Sequence, residues 1–314
     1  MEYYFAPMEG VTGAEYRAVH HRHFPGVDRY YMPFITPTQD RVFTPRELRN
    51  IAPERNVGYC AVPQLLTKNA GDFNWSAGEL WAMGYDEVNL NLGCPSGTVF
   101  SKGKGSGLLR DPDGLERFLD GIFADPPLPI SLKTRLGVAE AAEFPRLLEI
   151  YNRYPVKLLI IHPRVRKAFY DGPVDMDAFA YALENSKNPI CFNGNLCSRE
   201  DVQRFAERYQ SVSSAMLGRG LIGAPGMFAP NGTTPAALEA FCDELLDSYT
   251  SLFGGARNAM FRLKENWRYL IRLFEEAERP GKQLRKTTDA AQYRSLTHEI
   301  IRNCPMRENL APDW

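Results

Sequence analysis

The sequence places Cys94 where a predicted β-strand ends, beside a loop rich in glycine and lysine. Residues 88–92 alternate apolar and polar side chains as a half-buried strand does, and Gly93 and Pro95 interrupt that strand on either side of the cysteine. The loop that follows, residues 101–107, contains three glycines and two lysines. A thiol in this position is well placed to act as a catalytic group. The structural alternative is a buried cysteine that only caps the strand.

Polar side chains also stand at the ends of most of the other predicted strands. Each one alone has a structural explanation, such as a hydrogen-bonded core histidine for His162 or a lysine that reaches solvent for Lys133. So many of them at equivalent strand ends favour a functional site, because unsatisfied polar groups in a purely structural barrel are costly. The residues at these strand ends are Pro7, Met8, Glu9, Gly10, Gln64, Asn91, Cys94, Lys133, Arg135, His162, Arg164, Asn193, Gly194, Asn195, Gly218, Arg219 and Gly220.

Eight β-rich segments, separated mostly by helical patterns, are predicted to position those residues. Residues 69–83 have helical spacing, and Asp111 and Ser198 are predicted N-caps. Strands that alternate with helices predict an α/β fold, a parallel (β/α)₈ TIM barrel with its active site at the carboxyl ends of the strands. A doubly wound sheet is the alternative, but no Gly-x-Gly-x-x-Gly motif follows the first strand. The segments are residues 3–8, 29–34, 57–64, 88–92, 129–135, 157–162, 189–195 and 214–220.

Two glycine turns, residues 193–195 and 218–220, follow the seventh and eighth predicted strands. Such turns commonly bind phosphate in a TIM barrel, because bare backbone N–H groups approach the oxygens closely, although they also make tight turns without a ligand. A phosphate held there leaves a planar ring over the barrel mouth, within reach of Gln64, Lys133 and His162. Flavin mononucleotide (FMN) meets this description, and a fixed cation such as Lys133 would stabilise the anionic reduced flavin.

The composition narrows the class of protein. The chain is 44% hydrophobic and 24% charged, and its net charge of −1 argues against a uniformly basic surface while allowing local basic patches. No apolar run reaches membrane-spanning length. The six cysteines match neither a disulfide framework nor a zinc site. We therefore expect a soluble, cytoplasmic protein that acts as a monomer and holds no metal.

The pattern changes near the Pro-Asn-Gly turn at residues 230–232. Residues 236–253, 257–278 and 284–303 predict three amphipathic helices, with no further strands. Residues 257–307 contain twelve Lys/Arg against six Asp/Glu, which indicates either a binding face or an ordinary solvated face. We predict a catalytic barrel over residues 1–232 and a small helical bundle over residues 233–314.

Several motifs together resemble those of the flavin-dependent tRNA-dihydrouridine synthases. The most specific is the cysteine motif at residues 91–96, Asn-Leu-Gly-Cys-Pro-Ser, with its loop at residues 101–109, whereas the glycine turns would suit other flavin barrels too. The resemblance covers the predicted barrel from end to end and extends loosely into the tail. The other matching segments are residues 6–12, 133–137, 162–164, 170–172, 193–195 and 218–220.

The resemblance implies a role for each matching residue. Cys94 would be the proton donor, and Asn91, Lys133 and Arg135 would face the uracil. Lys102, Lys104 and Arg110, together with the helical tail, would hold the tRNA backbone, and NADPH or NADH would be the reductant. The flavin would be held by Pro7, Met8, Gln64, Lys133, His162, Asn193, Gly194, Asn195, Gly218 and Arg219.

Two positions depart from the family pattern. Ser106-Gly107 stands in place of the usual Gly-Ala before the Leu-Leu pair. Asn195 stands where an acidic residue is usual, so the negative charge at that flavin contact is lost.

The implied chemistry agrees with the residue types. Reduction of the C5=C6 bond of uracil needs a hydride at C6 and a proton at C5, and a thiol with an ordinary pKa of about 8.5 is mostly protonated at neutral pH. A uridine in folded tRNA must leave its stack to reach the flavin. Two alternatives stay open. One is a flavin barrel that reduces a free pyrimidine or a small enone, and the other is a non-catalytic RNA-binding protein on a barrel scaffold.

Overall fold

Nine short parallel strands form a nearly closed barrel in the computed structural model, which describes residues 1–38 and 40–310. The strand order is β3-β2-β1-β9-β8-β7-β6-β5-β4, so the two ends of the sheet are consecutive in the chain. The TIM-barrel prediction is confirmed, and each predicted segment overlaps an observed strand. The strands are β1 (Glu2–Phe5), β2 (Arg29–Tyr31), β3 (Cys60–Val62), β4 (Gln64–Leu65), β5 (Val88–Asn91), β6 (Ile130–Arg135), β7 (Leu159–His162), β8 (Ile190–Asn193) and β9 (Ser214–Leu217).

The third predicted strand is divided at Pro63 into β3 and β4. Proline has no backbone N–H and cannot donate to a neighbouring strand. As a result β3 pairs with β2, whereas β4 pairs with β5. The Pro63 carbonyl still accepts from the Asn89 N–H at 2.9 Å, and a parallel bridge joins Ile35 to Leu65. These contacts connect the two ends of the sheet.

Helices follow most of the strands and cover the outside of the barrel. The predicted N-caps are confirmed: Asp111 accepts from the Gly114 N–H at 3.0 Å, and Ser198 forms a capping box with Asp201. Asn69 caps the helix predicted over residues 69–83. The helices up to residue 232 are α1 (Ala14–His23), α2 (Pro45–Ile51), α3 (Ala70–Ala82), α4 (Gly97–Ser101), α5 (Pro112–Phe123), α6 (Phe144–Tyr151), α7 (Met176–Asn185), α8 (Arg199–Arg208) and α9 (Arg219–Gly223).

Alternate residues along each strand face opposite sides of the sheet. One set packs against the helices in the main hydrophobic core, which includes Phe5, Leu90 and Ile161. The other set faces the barrel interior, where a small apolar cluster includes Tyr4, Ile160 and Met216. This alternation directs the polar residues at the strand ends toward the mouth of the barrel.

The tail, as far as residue 310, contains four helices rather than the three predicted: α10 (Pro235–Phe253), α11 (Ala256–Leu270), α12 (Glu278–Leu284) and α13 (Ala290–Asn303). The second predicted helix was too long. It ends at Leu270 and gives way to a 3₁₀ turn, and Phe274 then forms an antiparallel bridge with Met306. Glu276 has a positive φ of 56°, which is incompatible with continuing a right-handed helix.

The tail packs closely on the barrel. Phe241 of α10 contacts Tyr16 and Phe24, with ring centroids 5.7 and 5.3 Å apart, and Glu244 pairs with Arg22 and His23. The main hydrophobic core continues across this junction, so the two predicted regions share one core. The boundary at residue 232 therefore stays a prediction. Within the two described ranges, no helix is long and apolar enough to cross a membrane.

Candidate active site

A cavity of about 300 Å³ opens at the carboxyl ends of the strands. The barrel topology brings the strand-end residues together there although they are far apart in sequence. Most of the site residues predicted from the sequence line this cavity, but Gly10, Lys102, Lys104, Arg110, Arg164 and Gly220 do not. Those that line it are Pro7, Met8, Glu9, Gln64, Asn91, Cys94, Lys133, Arg135, His162, Asn193, Gly194, Asn195, Gly218 and Arg219.

Cys94 lies on the loop after β5, where hydrogen bonds hold its backbone. Its N–H donates to Asn91 Oδ1 at 2.9 Å, and its carbonyl accepts from the Ser106 hydroxyl at 2.6 Å. Gly105 has φ +57°, and a Cβ there would lie 3.1 Å from Cys94 Cβ, so the glycine loop folds directly over the cysteine. Burial raises the pKa of the Cys94 thiol despite the nearby Arg135 and Lys133. The thiol is therefore protonated at neutral pH.

Lys133 and Arg135 project from β6 into the cavity. Lys133 Nζ donates to Asn193 Oδ1 at 2.7 Å, and Arg135 Nε donates to the Gly93 carbonyl at 2.8 Å. Burial, together with Arg135, lowers the pKa of Lys133 to about 7. An anion bound beside Lys133 would favour the charged form of its amine.

His162 ends β7 and stays neutral. Burial lowers its pKa well below the usual value, and Arg135, Lys133 and Arg164 act in the same direction. His162 Nε2 lies 2.9 Å from Arg164 NH1 and must accept this hydrogen bond, because a guanidinium only donates. The Nδ1 atom of the neutral ring therefore carries the proton.

Positive charge exceeds negative charge around the cavity. Lys133, Arg135 and Arg219 line it, and the only carboxylate among the described lining residues is Glu9, which pairs with Arg46 at the rim. Burying positive charge is costly, so this excess of cations favours an anionic ligand. The described part of the chain contains no cluster of His, Cys, Asp or Glu suited to a metal.

Six lining residues are not among the predicted site residues: Ala6, Pro33, Phe34, Gly93, Tyr170 and Tyr269. Pro33 and Phe34 follow β2 and are apolar, so the polarity of strand ends does not identify them. Tyr170 lies in a matched motif, and its ring centroid is 6.0 Å from that of His162. Tyr269 comes from α11 in the tail, and no sequence signal places it here.

Lys102 and Lys104 lie outside the cavity, just after α4. A Cβ at Gly103 between them would be 3.6 Å from the Lys68 side chain, so three lysines share this surface beside the Cys94 loop. Burial, with Lys102 nearby, lowers the pKa of Lys104. Contact of Lys102 and Lys104 with RNA phosphates stays a prediction.

Residues 4–300 match the family described as dihydrouridine synthase. The chain is 30% identical over 235 residues to a probable tRNA-dihydrouridine synthase of Staphylococcus aureus (strain MRSA252), with 71% of this chain and 69% of that protein covered. It is 28% identical over 228 residues to a probable tRNA-dihydrouridine synthase of Rhodobacter capsulatus, with 71% and 68% covered.

Among solved structures, the old yellow enzyme homologue from Zymomonas mobilis is similar with a TM-score of 0.52 and 10% identity. The match covers 71% of this chain and 86% of that one. At this identity the likeness supports the barrel fold alone.

Proposed function

This chain belongs to the dihydrouridine synthase family, and from that premise we propose that it reduces the C5=C6 bond of a uridine in tRNA. The proposal includes a bound FMN, NADPH or NADH as reductant, and Cys94 as proton donor. The observation that carries it is the protonated thiol of Cys94 at the edge of a cationic cavity that the strand ends of a TIM barrel form.

The residues around the cavity fit FMN. A Cβ at Gly194 would lie 2.3 Å from the Phe192 ring, so this position requires a bare backbone. A Cβ at Gly218 would make a tight contact of 3.3 Å with Met8 Sδ. Such a backbone, with Arg219 beside it, suits a phosphate. Gln64 and Lys133 would face the ring, and Lys133 would balance its negative charge. When bound, FMN would supply the hydride that adds to C6 of the uracil.

Cys94 would complete the reduction. Its S–H bond would break as the proton adds to C5 of the uracil, and the resulting thiolate would lie near the positive charges of Lys133 and Arg135. Asn91 and Arg135 would orient the uracil by hydrogen bonds to its carbonyl oxygens. The thiolate would regain a proton from solvent before the next turnover.

The RNA would meet basic surfaces on two sides of the cavity. Lys68, Lys102 and Lys104 lie beside the Cys94 loop, and α12 and the residues after it add further cations. Phosphate contacts at these surfaces would hold the tRNA while the target uridine leaves its stack. The basic loop and tail favour a tRNA substrate over a free pyrimidine.

One experiment tests the function. Purified enzyme is incubated with unmodified tRNA, FMN and NADPH or NADH, and the digested RNA is mapped by mass spectrometry. We expect specific uridines to gain the mass of two hydrogen atoms. Reduction of free uridine or a small enone in place of tRNA would support the free-substrate alternative. A colourless protein that binds tRNA without modifying it would support the non-catalytic one.

A further inference from the structure

A chain of hydrogen bonds runs through the barrel interior from the carboxylate of Glu87, which immediately precedes β5. Ser131 Oγ donates to Glu87 Oε1 at 2.6 Å. Asn89 Nδ2 donates to Ser131 Oγ at 2.8 Å, and Gln64 Nε2 donates to Asn89 Oδ1 at 2.7 Å. Each of these four side chains is at most 1% exposed, so bulk water cannot replace the partners.

The chain ends at the cavity, on the loop that carries Cys94. Asn91 Nδ2 donates to Gln64 Oε1 at 2.8 Å. Asn91 Oδ1 in turn accepts from the N–H groups of Gly93 and Cys94, at 3.1 and 2.9 Å. Residues 87, 89 and 91 alternate along the chain and share the inward face, so the hydrogen bonds cross about 13 Å of the barrel.

The two ends of this chain allow only one direction of donation. A carboxylate only accepts and a backbone N–H only donates. Turning over any one of the three amides, Asn89, Gln64 or Asn91, would place donor against donor on one side and acceptor against acceptor on the other. Arg29 and Lys157, each 2.9 Å from Glu87 Oε2, stabilise the negative charge that defines the accepting end.

We propose that Glu87, Ser131 and Asn89 are positioning residues, which hold the amides of Gln64 and Asn91 in a single orientation at the cavity. In that orientation each amide nitrogen has a second N–H that the chain does not use, so Gln64 and Asn91 offer donors rather than acceptors to a ligand. N–H donors at these two positions would bind a carbonyl oxygen or a deprotonated nitrogen at the edge of a heteroaromatic ring. The ring identities, flavin and uracil, rest on the proposed function.

Two substitutions act on the chain in different ways. Ser131→Ala removes the link to the Glu87 carboxylate. The Gly93 and Cys94 N–H groups alone then orient the amides, which should turn over more readily. Glu87→Gln keeps the shape of the side chain, but an amide can donate as well as accept hydrogen bonds. Its oxygen would turn to the cations Arg29 and Lys157, and its NH₂ group would then donate to Ser131. The hydrogen bonds that start at residue 87 would then run in the reverse direction. They would be incompatible with the Cys94 N–H, which must donate to Asn91. Ser214→Ala on β9 is the matched control, because Ser214 is 1% exposed and lies outside the chain of hydrogen bonds.

The experiment combines side-chain amide NMR with single-turnover kinetics on the full-length holoenzyme. In ¹⁵N-Asn/Gln-labelled protein we expect the NH₂ signals of Gln64 and Asn91 to shift and exchange faster in Ser131→Ala and Glu87→Gln, but not in Ser214→Ala. Oxidation of the prereduced enzyme by tRNA should slow by about 10- to 100-fold in both variants, because small misplacements near reacting groups cost rate. The affinity for tRNA should stay unchanged.

Unchanged Gln64 and Asn91 signals in both variants would overturn the proposal, as would tRNA-driven oxidation at the Ser214→Ala rate. If wild-type enzyme reduces no uridine, the proposed function fails, whereas the NMR result still decides whether Glu87 and Ser131 orient the amides. Should Ser131→Ala not fold, Glu87→Gln provides the same readouts.

Discussion

At the scale of single residues, the protonation state of Cys94 depends on two opposing influences. Burial disfavours the thiolate, whereas Lys133 and Arg135 nearby favour it. Burial is the larger effect, so the pKa of the thiol is raised rather than lowered. Nucleophilic cysteines need the opposite balance, with a thiolate stabilised by a neighbouring cation. The environment of Cys94 therefore suits a proton donor.

Replacement of this donor should separate the two halves of the reaction. We expect Cys94→Ala to keep its flavin, its affinity for tRNA and its reduction by NADPH or NADH. Uridine reduction should fall by about 10² to 10⁴-fold, because a general acid contributes about that much. Cys60→Ala, at the opposite end of the barrel, is the control. The rate of uridine reduction is measured in single-turnover experiments with tRNA. A wild-type rate in Cys94→Ala would show that another group supplies the proton.

The pKa of Lys133 predicts how FMN binding depends on pH. Without a ligand its pKa is lowered to about 7, and a flavin ring oxygen or nitrogen that accepts a hydrogen bond from the ammonium would raise it again. Above pH 7 the free protein must take up a proton to bind FMN, so affinity should fall by up to about tenfold per pH unit until the pKa of the complex is reached. Below pH 7 the amine is already charged, and this effect disappears.

Fluorescence titration with FMN between pH 7 and 9 measures this dependence, since the phosphate, with a second pKa of about 6, is already doubly ionised there. Lys133→Met should bind FMN more weakly and with a flat pH profile. A profile in Lys133→Met as steep as in wild type would assign the proton uptake to a different group.

At the scale of elements, the tail helps to form the cavity. Tyr269 of α11 lines it, and Arg262 of the same helix donates to the Gly10 carbonyl at 3.1 Å. Gly10 has φ +82° and closes the turn that carries Pro7 and Met8. The tail therefore contributes to the cavity in which the proposed cofactor would bind. The helix and the β1–α1 turn support each other across the junction.

Removal of this contact should weaken cofactor binding. We expect Arg262→Ala to raise the dissociation constant of FMN by up to about tenfold, because a hydrogen bond from a charged group contributes about 1.5–3 kcal/mol and only part of that couples to the ligand. Arg257→Ala, an exposed position on the same helix, should leave FMN affinity unchanged. Equal affinities for the two variants in calorimetric titrations would show that the tail does not support the turn.

The sequence predicts the strands and their site residues better than it predicts the tail. Period-two alternation and strand-end polarity identify Lys133 and His162, because the barrel topology brings all carboxyl strand ends to one rim. No such rule covers Tyr269, which reaches the cavity only through tertiary packing of α11. Pro63 marks the strand break in the local sequence, whereas the early end of α11 at Leu270 depends on pairing with distant segments. Local sequence patterns do not contain that information.

At the scale of the whole molecule, a net charge of −1 conceals an uneven distribution. Several basic residues of the tail are neutralised locally. Arg294 pairs with Asp243 and Asp247, and Arg302 pairs with Glu239. By contrast, residues 279–286 carry four exposed cations without an ion pair to any described residue: Arg279, Lys282, Arg285 and Lys286.

This basic segment lies on the part of the tail that reaches the cavity. A Cβ at Gly281 of α12 would be 3.2 Å from Ile271, which is two residues from Tyr269. RNA phosphates held by residues 279–286 would therefore be close to the barrel mouth. The basic face predicted for the tail stays a prediction, and we expect phosphate contacts in this segment.

Salt dependence of tRNA binding tests this segment against the rest of the tail. Replacing Arg285 and Lys286 together with Gln removes up to two phosphate contacts, so the slope of log K against log salt should flatten by up to about 1.4 to 1.8. Arg294→Gln with Arg302→Gln changes the net charge equally, but these residues are ion-paired and should alter the slope much less. Equal slopes for the two double variants would mean that the salt dependence of tRNA binding follows the net charge of the protein rather than contacts at residues 285 and 286. A wild-type slope in Arg285→Gln with Lys286→Gln would show that residues 285 and 286 are an ordinary solvated surface.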